Sequence, residues 1–389
     1  MISVEQALAQ IFDLCAPLGQ DTVPLANAAG RVLAEPVRAR RDQPPFPASA
    51  MDGYAIACDP APGQQFTVIG ESAAGHRFDG TISGDQALRI FTGAPVPPGA
   101  VHVVIQEDVT RAGDRITILD SLGNGPNIRP AGNDFATGDT LEAPRRLSPS
   151  DVALLASMNV PDVPVRRKPV VAIIATGDEL VMPGETPGPD QIIASNSFGL
   201  KALVEAEGGI ARLLPIAKDT PASLKLVLDL ARGADMVVTI GGASVGDHDI
   251  VVDVAADLGL QRSFYKVAMR PGKPLMAGRL GDAVMIGLPG NPVSAMVCGH
   301  VFLLPALRAL MGLPAAPAPR RRAALACDIA ANGPREHYMR AAIGPDGITP
   351  NPRQDSALLS VLSDAGALLI RPPGDGPRKA REIVEFISI

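Results

Sequence analysis

The chain has 389 residues, 46% of them hydrophobic, which favours two or three folded domains and excludes a disordered segment. Its formal net charge of −6 and its lack of long lysine or arginine runs exclude the usual footprint of a nucleic-acid-binding protein. Four scattered cysteines without a CxxC pair predict reduced thiols, and the acidic amphipathic start shows no targeting peptide, so we expect a cytoplasmic protein.

The first pattern along the chain is typical of an amphipathic helix. Ser3 and Gln6 have the spacing of a capping box, in which each side chain bonds the other residue's backbone N–H. Apolar residues recur on one face of this helix: Val4, Ala7, Leu8, Ile11, Phe12 and Cys15. We expect the helix to pack on its own layer.

A small β domain is predicted after the proline-rich residues 44–47. From about Tyr54 to Leu119, apolar and polar residues alternate as they do in strands, for example in QQFTVIG, QALRIFTG, VHVVIQEDV and DRITIL. A helix is then predicted after Pro149, and the segment VPVRRKP supplies a linker into the middle block.

The middle block alternates between strand and helix patterns. The apolar runs VVAIIAT, ARLLPIA and MVVTI are typical of buried strands, and SFYKVAM, PLMAG and AVMIG follow as further strands. Helices are predicted after Asn196, Thr220, Asp247 and Asn291. This order predicts an α/β domain with a mostly parallel sheet and helices on both faces, in which ligands bind at the carboxyl ends of the strands.

The most apolar stretch, residues 293–313, contains His300, Pro305 and Arg308, which favours a buried helix over a membrane span. The connector PAAPAPRRR follows, and then a second β-rich segment with a short helix around residues 357–362 and the closing strand REIVEFISI. We expect a separate small β domain at this end.

Four glycine-bearing turns in the middle block predict an anion site. They are ATGDEL (175–180), GGASVGDHD (241–249), MRPGKP (269–274) and GLPGNPVSA (287–295). Glycine lets backbone N–H groups approach a ligand, and helix amino termini carry unpaired N–H groups suited to phosphate. The candidate ligand-binding residues are Thr176, Gly177, Asp178, Gly241, Gly242, Ser244, Gly246, Arg270, Gly272, Lys273, Pro289, Gly290, Asn291, Pro292 and Ser294.

Each turn also has a plain structural interpretation. Asp178 and Glu179 suit a hard cation or a general base, but a solvated acidic turn fits them equally well. Arg270 and Lys273 suit phosphate recognition, against a surface hairpin turn. Asn291 is expected to cap the long helix, which leaves the N–H groups of Val293 and Ser294 for an anion.

Four further residues have weak local patterns. Asp52 follows a stiff proline run, and Thr92 follows a predicted strand. Asp134 and Asp219 are isolated acids. Turn or capping roles explain each of them without reference to a ligand.

Nine segments of the chain can be compared as a set: PPFPASAMDGYA, RIFTGAPVPPGA, IQED, AGND, ATGDEL, IIASNS, GGASVGDHD, MRPGKP and GLPGNPVSA. Together they resemble the motifs of the molybdopterin molybdenumtransferase family, to which the C-terminal part of gephyrin also belongs. The resemblance covers essentially the whole chain. It departs from the family at Arg270, where lysine is frequent, and the two side chains present different geometries to an anion.

The resemblance implies an elongated homodimer of multidomain α/β and β chains. Its four domains would be a discontinuous mixed domain (1–45 and 133–167), an inserted β domain (46–132), an α/β molybdopterin-binding domain (168–315) and a C-terminal β barrel (316–389). In family structures, the inserted domain of one subunit faces the α/β domain of the other.

The implied reaction inserts molybdenum from molybdate into adenylylated molybdopterin and releases AMP with the help of Mg²⁺. Catalytic roles fall on Asp52, Thr92, Asp134, Glu179, Asp219 and Asp249, beside the basic pair Arg270 and Lys273. Glu179, Asp219 and Asp249 would hold the magnesium. Other proteins of molybdenum cofactor biosynthesis are candidate partners, whereas nucleic acid and membrane are not.

Two other functions stay open at this point. A molybdopterin adenylyltransferase would share the α/β domain, and ATP consumption would favour it. A scaffold protein that keeps the fold without turnover is the second, since gephyrin also anchors receptors. The extra β domains and the intact acidic and basic residues favour the molybdenum-inserting transferase.

Overall fold

The computed structural model describes residues 1–241 and 250–389 of the chain. It contains several separate sheets, in agreement with the predicted multidomain α/β and β architecture. The α-helices are Val4–Leu14, Pro149–Ser157, Asn196–Glu207, Pro221–Leu230, Ile250–Asp257, Pro292–Cys298, Leu304–Leu310 and Leu359–Ser363.

A six-stranded sheet forms the centre of the molecule. In spatial order its strands are Ile210–Leu213, Val170–Ala175, Met236–Ile240, Ala283–Leu288, Met276–Leu280 and Gln261–Tyr265. The first four strands are parallel, Met276–Leu280 runs antiparallel to them, and Gln261–Tyr265 pairs antiparallel with Met276–Leu280 and so runs in the direction of the first four. The predicted mostly parallel sheet is therefore confirmed, and its strands Val170–Ala175 and Met236–Ile240 are almost completely buried, as continuous apolar runs require.

Helix starts in this block follow their local capping signals. Thr220 accepts a hydrogen bond from the Ser223 N–H, and Pro221 occupies the first helical position. The long helix begins at Pro292 and continues to Leu310 through a π-helical stretch, Gly299–Leu303. By length and composition it could cross a bilayer, but 78% of its most apolar window is buried inside the protein. It is the central core helix of this block.

The first helix, Val4–Leu14, has the predicted capping box, with Ser3 and Gln6 bonding each other's backbone N–H groups. Its packing differs from the expectation of a separate layer. The apolar face of the helix belongs to the same core as the central sheet and the long helix. The cause lies in the chain before the helix, because Ile2 pairs with the segment at Val267 beside the central sheet.

Two further groups of strands come from the amino-terminal half. A four-stranded antiparallel sheet joins early and late segments of this half: Gln20–Pro24, Asp162–Arg166, Val32–Leu33 and Arg145–Arg146. A mixed six-stranded sheet lies between them in sequence: His102–Ile105, Gly53–Ile56, Gln86–Ile90, Gln65–Ser72, Arg115–Ile118 and Val109–Ala112. The strands predicted between about residues 54 and 119 are thus confirmed.

Short two-stranded sheets complete the list of strands. They are Ala48–Ser49 with Ile128–Arg129, Val37–Arg38 with Thr140–Leu141, and Leu180–Val181 with Ile192–Ile193. The last of these pairs borders the carboxyl edge of the central sheet, because it follows directly on strand Val170–Ala175.

The last sheet belongs to the carboxy-terminal segment and includes one strand from the middle block. Its strands are Met269–Arg270, Glu336–Gly344, Ala367–Arg371, Ile383–Ser388 and Arg321–Ala324, with Gly347–Pro350 paired to Glu336–Gly344. The predicted single strand SFYKVAM is therefore wrong. Lys266 adopts a left-handed φ of 75° and divides it into Gln261–Tyr265 in the central sheet and Met269–Arg270 in the last sheet.

The packing of the first helix gives a stability prediction. Ile11 is fully buried, so Ile11→Ala should lower the free energy of unfolding of the central unit by about 2–5 kcal/mol. Chemical denaturation measures the change. Asp13→Ala, at an exposed position of the same helix, is the matched control. Equal effects of the two substitutions would contradict the packing described above.

Candidate functional site

A pocket of about 540 Å³ lies at the carboxyl edge of the central sheet. Ala175, Ile240 and Leu288 are in register across three parallel strands, so the segments that follow them converge on one edge. The pocket is lined by residues from these segments and from the starts of two helices: Ala175, Thr176, Gly177, Glu179, Leu180, Ile192, Ile193, Ala194, Ser195, Asn196, Ser197, Asp219, Ile240, Gly241, Pro274, Pro289, Gly290, Asn291 and Pro292.

The turn after strand Val170–Ala175 is held by backbone bonds. Buried Thr176 donates from its N–H to the Ile240 carbonyl over 2.9 Å, and the Gly177 N–H donates to the Ala217 carbonyl over 3.1 Å. Gly177 has a φ of 147°, and a Cβ there would lie 2.4 Å from a carboxylate oxygen of Glu179. Glycine at this position thus permits both the turn and the placement of Glu179 over it.

Carboxylates gather at this turn, as the sequence predicted. The Asp219 N–H donates to Asp178 Oδ1 over 3.3 Å, and Lys218 donates to the Asp178 carbonyl. Desolvation raises the pKa of Asp219, and the nearby negative charges of Asp178 and Glu179 raise it further. A bound cation would relieve this repulsion.

The acids among the described residues do not by themselves form a metal site. Among residues 1–241 and 250–389, no three His, Cys, Asp or Glu side chains are placed to share a metal ion. Mg²⁺ is commonly held by only one or two carboxylates together with substrate phosphates and water. Glu179 and Asp219, which both line the pocket, meet that smaller requirement.

The helix starts at the pocket are fixed by contacts across the edge. Asn196 Nδ2 donates to the Gly290 carbonyl over 2.7 Å, which ties the start of helix Asn196–Glu207 to the GLPGNP turn. Asn291 occupies the cap position of the long helix, but its side chain makes no capping hydrogen bond. Its amide group therefore remains on the pocket wall.

One expectation about the long helix is wrong. The Val293 N–H was expected to be free for an anion, but it donates to the Ser356 carbonyl over 3.0 Å. The carboxy-terminal segment packs on the first turn of this helix and supplies an acceptor that the local sequence does not reveal. Ser294, also a candidate, is buried within the same turn.

The MRPGKP turn is packed between units and is not a surface hairpin. Met269–Arg270 pairs with Glu336 and His337 in the last sheet. Gly272 is buried with a φ of 104°, and a Cβ there would lie 2.5 Å from Cys298 Sγ on the long helix. Arg270 stays exposed and Lys273 is half-buried, while Pro274 reaches the pocket wall. Of this turn, Pro274 lines the pocket, whereas Arg270 and Lys273 are not among the described lining residues, and their roles stay predictions.

A buried basic cluster behind this turn was missed by the sequence analysis. Arg340 is fully buried, and its Nε and Nη1 have no hydrogen-bond partner in the described part of the chain. His337 Nε2 is likewise unpartnered there. Burial, together with the charges of Arg270, Arg340, Arg371 and Arg335, lowers the pKa of His337 to about 4.

The Arg340 donors point to an anion because burying unpaired polar groups is costly. A signal was present in the sequence, since HYMR places a histidine and an arginine within an otherwise apolar strand. Charged residues in such a strand are buried only with a partner.

Three predicted catalytic residues lie elsewhere. Asp52 and Thr92 form a pair in the amino-terminal mixed sheet, where the Thr92 N–H and hydroxyl both donate to Asp52 Oδ1 over 2.7 Å. These two bonds lower the pKa of Asp52. Asp134 is exposed, and its N–H donates to the Gln43 carbonyl. None of the three is among the residues described as lining the pocket of the same chain.

Part of the predicted site falls outside the described residues. Gly242, Ser244, Gly246 and Asp249 all belong to residues 242–249. Their proposed roles in ligand and metal binding therefore stay predictions. Gly241, the first residue of this motif, does line the pocket, and its N–H donates to the Leu288 carbonyl over 3.1 Å.

The fold and the pocket define a multidomain protein whose α/β unit presents a polar, glycine-lined ligand site at the carboxyl edge of its sheet. Three family models match the chain in order: the MoeA N-terminal region (domain I and II) at residues 2–159, the probable molybdopterin binding domain at 172–309, and the MoeA C-terminal region (domain IV) at 322–389.

Curated relatives extend over most of the chain. A molybdopterin molybdenumtransferase of Nostoc sp. is 38% identical over 80% of this chain and 75% of its own length. Molybdopterin molybdenumtransferase 2 of Mycobacterium tuberculosis is 35% identical over 87% of this chain and 86% of its own. The chain belongs to the molybdopterin molybdenumtransferase family.

Solved structures agree with this assignment. The molybdopterin biosynthesis MoeA protein of Pyrococcus horikoshii is 28% identical to the chain and superposes with a TM-score of 0.87, with complete coverage of both chains. The whole arrangement of units, and not only the α/β block, is thus that of this family.

The raised pKa of Asp219 gives a prediction about stability and pH. Folding favours the protonated form, so the charged carboxylate destabilises the protein at neutral pH, and this penalty disappears as the pH falls below the ordinary range of aspartate. Asp219→Asn should raise the thermal midpoint at pH 7 but not at acidic pH. Because Asp219 is exposed, we expect a gain below about 1 kcal/mol.

Thermal unfolding of both proteins between about pH 3 and neutrality measures the difference, with Asp13→Asn as the control at an exposed helix position. A midpoint difference that is independent of pH would show that the carboxylate cluster does not act on Asp219.

Proposed function

We propose that the chain is a molybdenum cofactor biosynthesis enzyme that inserts molybdenum from molybdate into adenylylated molybdopterin and releases AMP. The observation that carries the proposal is the pocket at the carboxyl edge of the central sheet, in a chain that belongs to this family. Its volume is in the range of cofactor-sized ligand sites.

The pocket wall suits a ligand with a pterin and a pyrophosphate linkage. Leu180, Ile192 and Ile193 form an apolar side, against which a ring system can lie. The wall also contains Gly177 and Gly241 and the helix starts at Asn196 and Pro292, which favour a negatively charged group. We assign the pterin to the apolar side and the phosphates to these glycines and helix starts.

Carboxylates of Glu179 and Asp219 would hold Mg²⁺ beside the phosphates, with Asp249 as the predicted third acid. When bound there, the ion would supply Lewis-acid polarisation of a phosphoryl oxygen. The protein side of the chemistry is electrostatic, because the acids hold the cation and the nearby cations Arg270 and Lys273 neutralise charge that develops on the leaving phosphate.

We assign molybdate, the second substrate, to the basic cluster formed by Arg270, Lys273 and Arg340. The unpaired buried donors of Arg340 support this assignment, since a tetrahedral oxyanion would satisfy them. The MRPGKP turn connects this cluster to the pocket through Pro274. The metal source and the pterin would thus be bound on two sides of one turn.

We further propose that the active unit is a homodimer in which Asp52, Thr92 and Asp134 of one subunit complete the pocket of the other. Their absence from the lining of their own chain's pocket supports this arrangement. The predicted domain boundaries and the C-terminal β barrel belong to the same proposal. A bridge between Leu325 and Ile348 links the outer strands of the last sheet and supports the barrel.

Release of AMP tests the proposed reaction. Purified protein with adenylylated molybdopterin, Mg²⁺ and molybdate should release AMP, and Lys273→Ala should raise KM for the pterin substrate by about 10- to 150-fold, the effect of losing a charged hydrogen bond. Lys225→Ala, at an exposed position outside the pocket, is the control. ATP consumption without AMP release from the adenylylated substrate would instead identify an adenylyltransferase. A protein that shows neither of these two activities would be identified as a scaffold.

Molybdate binding to the basic cluster is tested without turnover. Molybdate should raise the thermal midpoint of the wild type and leave that of Arg340→Met unchanged, because binding stabilises only a protein that has the site. Arg340→Met removes two buried unpaired donors, but it also removes the Nη2 hydrogen bonds to the Arg353 and Asp355 carbonyls, so the molybdate shift of each protein is taken from its own ligand-free midpoint. The control is Arg321→Met, an exposed position on the same sheet. A molybdate shift that persists in Arg340→Met would exclude this site.

A further inference from the structure

The side chain of Arg89 is built into the end of the mixed sheet that carries Asp52 and Thr92. Its guanidinium carbon lies 5.0 Å from the ring centroid of Tyr54 and 4.8 Å from that of Phe91. Tyr54 is two residues from Asp52, and Phe91 directly precedes Thr92. A planar guanidinium that stacks on both rings fixes the two chain segments relative to each other.

Hydrogen bonds of Arg89 close the same network. Nη1 donates to the Gly53 carbonyl over 3.3 Å, and Nη2 donates to Gln106 Oε1 over 2.7 Å. The Gln106 N–H in turn donates to the Asp52 carbonyl over 3.0 Å. Arg89 therefore joins three strand ends, namely those at Gly53, Phe91 and Gln106, around the backbone of Asp52.

The Asp52 carboxylate is held on one side only. Both donors of Thr92 bond Oδ1, and Oδ2 has no partner in the described part of the chain, so Oδ2 is the oxygen available to a ligand. Arg89 and Glu107 are charged side chains beside this pair, and Glu107 accepts from Gln106 Nε2. Glu71 is the register partner of Arg89 on the neighbouring strand, and Asp108 follows Glu107 in the same short helix. The positive charge of Arg89 helps the Thr92 bonds to keep Asp52 ionised.

We propose that Arg89 is a positioning residue, which holds the Asp52–Thr92 pair in the geometry that the reaction uses. The proposal rests on the catalytic role of Asp52 in the proposed function. Nη1 and Nη2 each donate one hydrogen bond within the protein, and these bonds hold the guanidinium against the backbone around Asp52. The role that we assign to Arg89 is therefore exerted through Asp52.

The test compares Arg89→Gln and Arg89→Lys in the full-length protein. Misplacing a reacting group by about 1 Å costs about 100-fold in rate, so Arg89→Gln should lower kcat for AMP release by about 10- to 100-fold with KM changed less than about threefold. The acid limb of the pH profile of kcat should move to higher pH, because Asp52 loses a cationic neighbour.

Arg89→Lys retains the positive charge, but it loses the planar guanidinium that donates from two nitrogens and stacks on the rings of Tyr54 and Phe91. It should therefore leave the acid limb close to that of the wild type while kcat stays reduced. This variant also keeps the test valid if Arg89→Gln folds poorly. Arg111→Gln is the matched control, since Arg111 lies in the same sheet and donates only to the neighbouring Gly113 carbonyl.

Two results would overturn the proposal. One is an Arg89→Gln protein with the kcat of the Arg111→Gln control. The other is a loss of kcat in Arg89→Gln with an unshifted acid limb, which a general structural role would produce. Failure of the underlying function is recognised separately, because the wild type itself would then release no AMP. AMP release by Asp52→Asn at the wild-type rate would overturn the catalytic role of Asp52.

Discussion

The parallel register of three buried strands is the constraint on which the rest of the structure depends. Ala175, Ile240 and Leu288 lie side by side, so the chain leaves the sheet three times at one edge. The described residues at these exits, namely Thr176, Gly177, Gly241, Pro289 and Gly290, line the pocket together with two helix starts. A parallel sheet buried on both faces holds these ends rigidly, because its strands are packed by core clusters on each side.

The carboxy-terminal unit is coupled to this edge and does not merely follow it in sequence. The strand Met269–Arg270 joins the last sheet, and the Ser356 carbonyl accepts from the first turn of the long helix. These two contacts bring the buried Arg340 next to the MRPGKP turn. The site that we propose for the oxyanion therefore exists only because two units meet, which agrees with family models that match both units.

Much of the central unit was predictable because its signals are local. The continuous apolar run at Met236–Ile240, the Thr220–Pro221 helix start and the Ser3–Gln6 capping box each need only a few neighbouring residues. Asp178 and Glu179 were predicted from the local ATGDEL motif, whereas the link between Glu179 and Asp219 came from the family resemblance; the structure places Asp219 beside Asp178 and Glu179. The break at Lys266 was not predicted, because an apolar run gives no warning of a single residue with positive φ.

The sequence by itself determined the order of units, the strand and helix rhythm of the α/β block, and the family, since these follow from periodicity, capping and motif wording. Only the tertiary structure decided that the first helix packs on the central core, that the Val293 N–H is already bonded, and that Arg340 and His337 lie buried behind the basic turn. The physical reason is the separation in sequence between the residues that interact. Helix and strand patterns arise between residues a few positions apart, whereas these contacts join segments about 60 or more positions apart, whose meeting depends on how whole units pack.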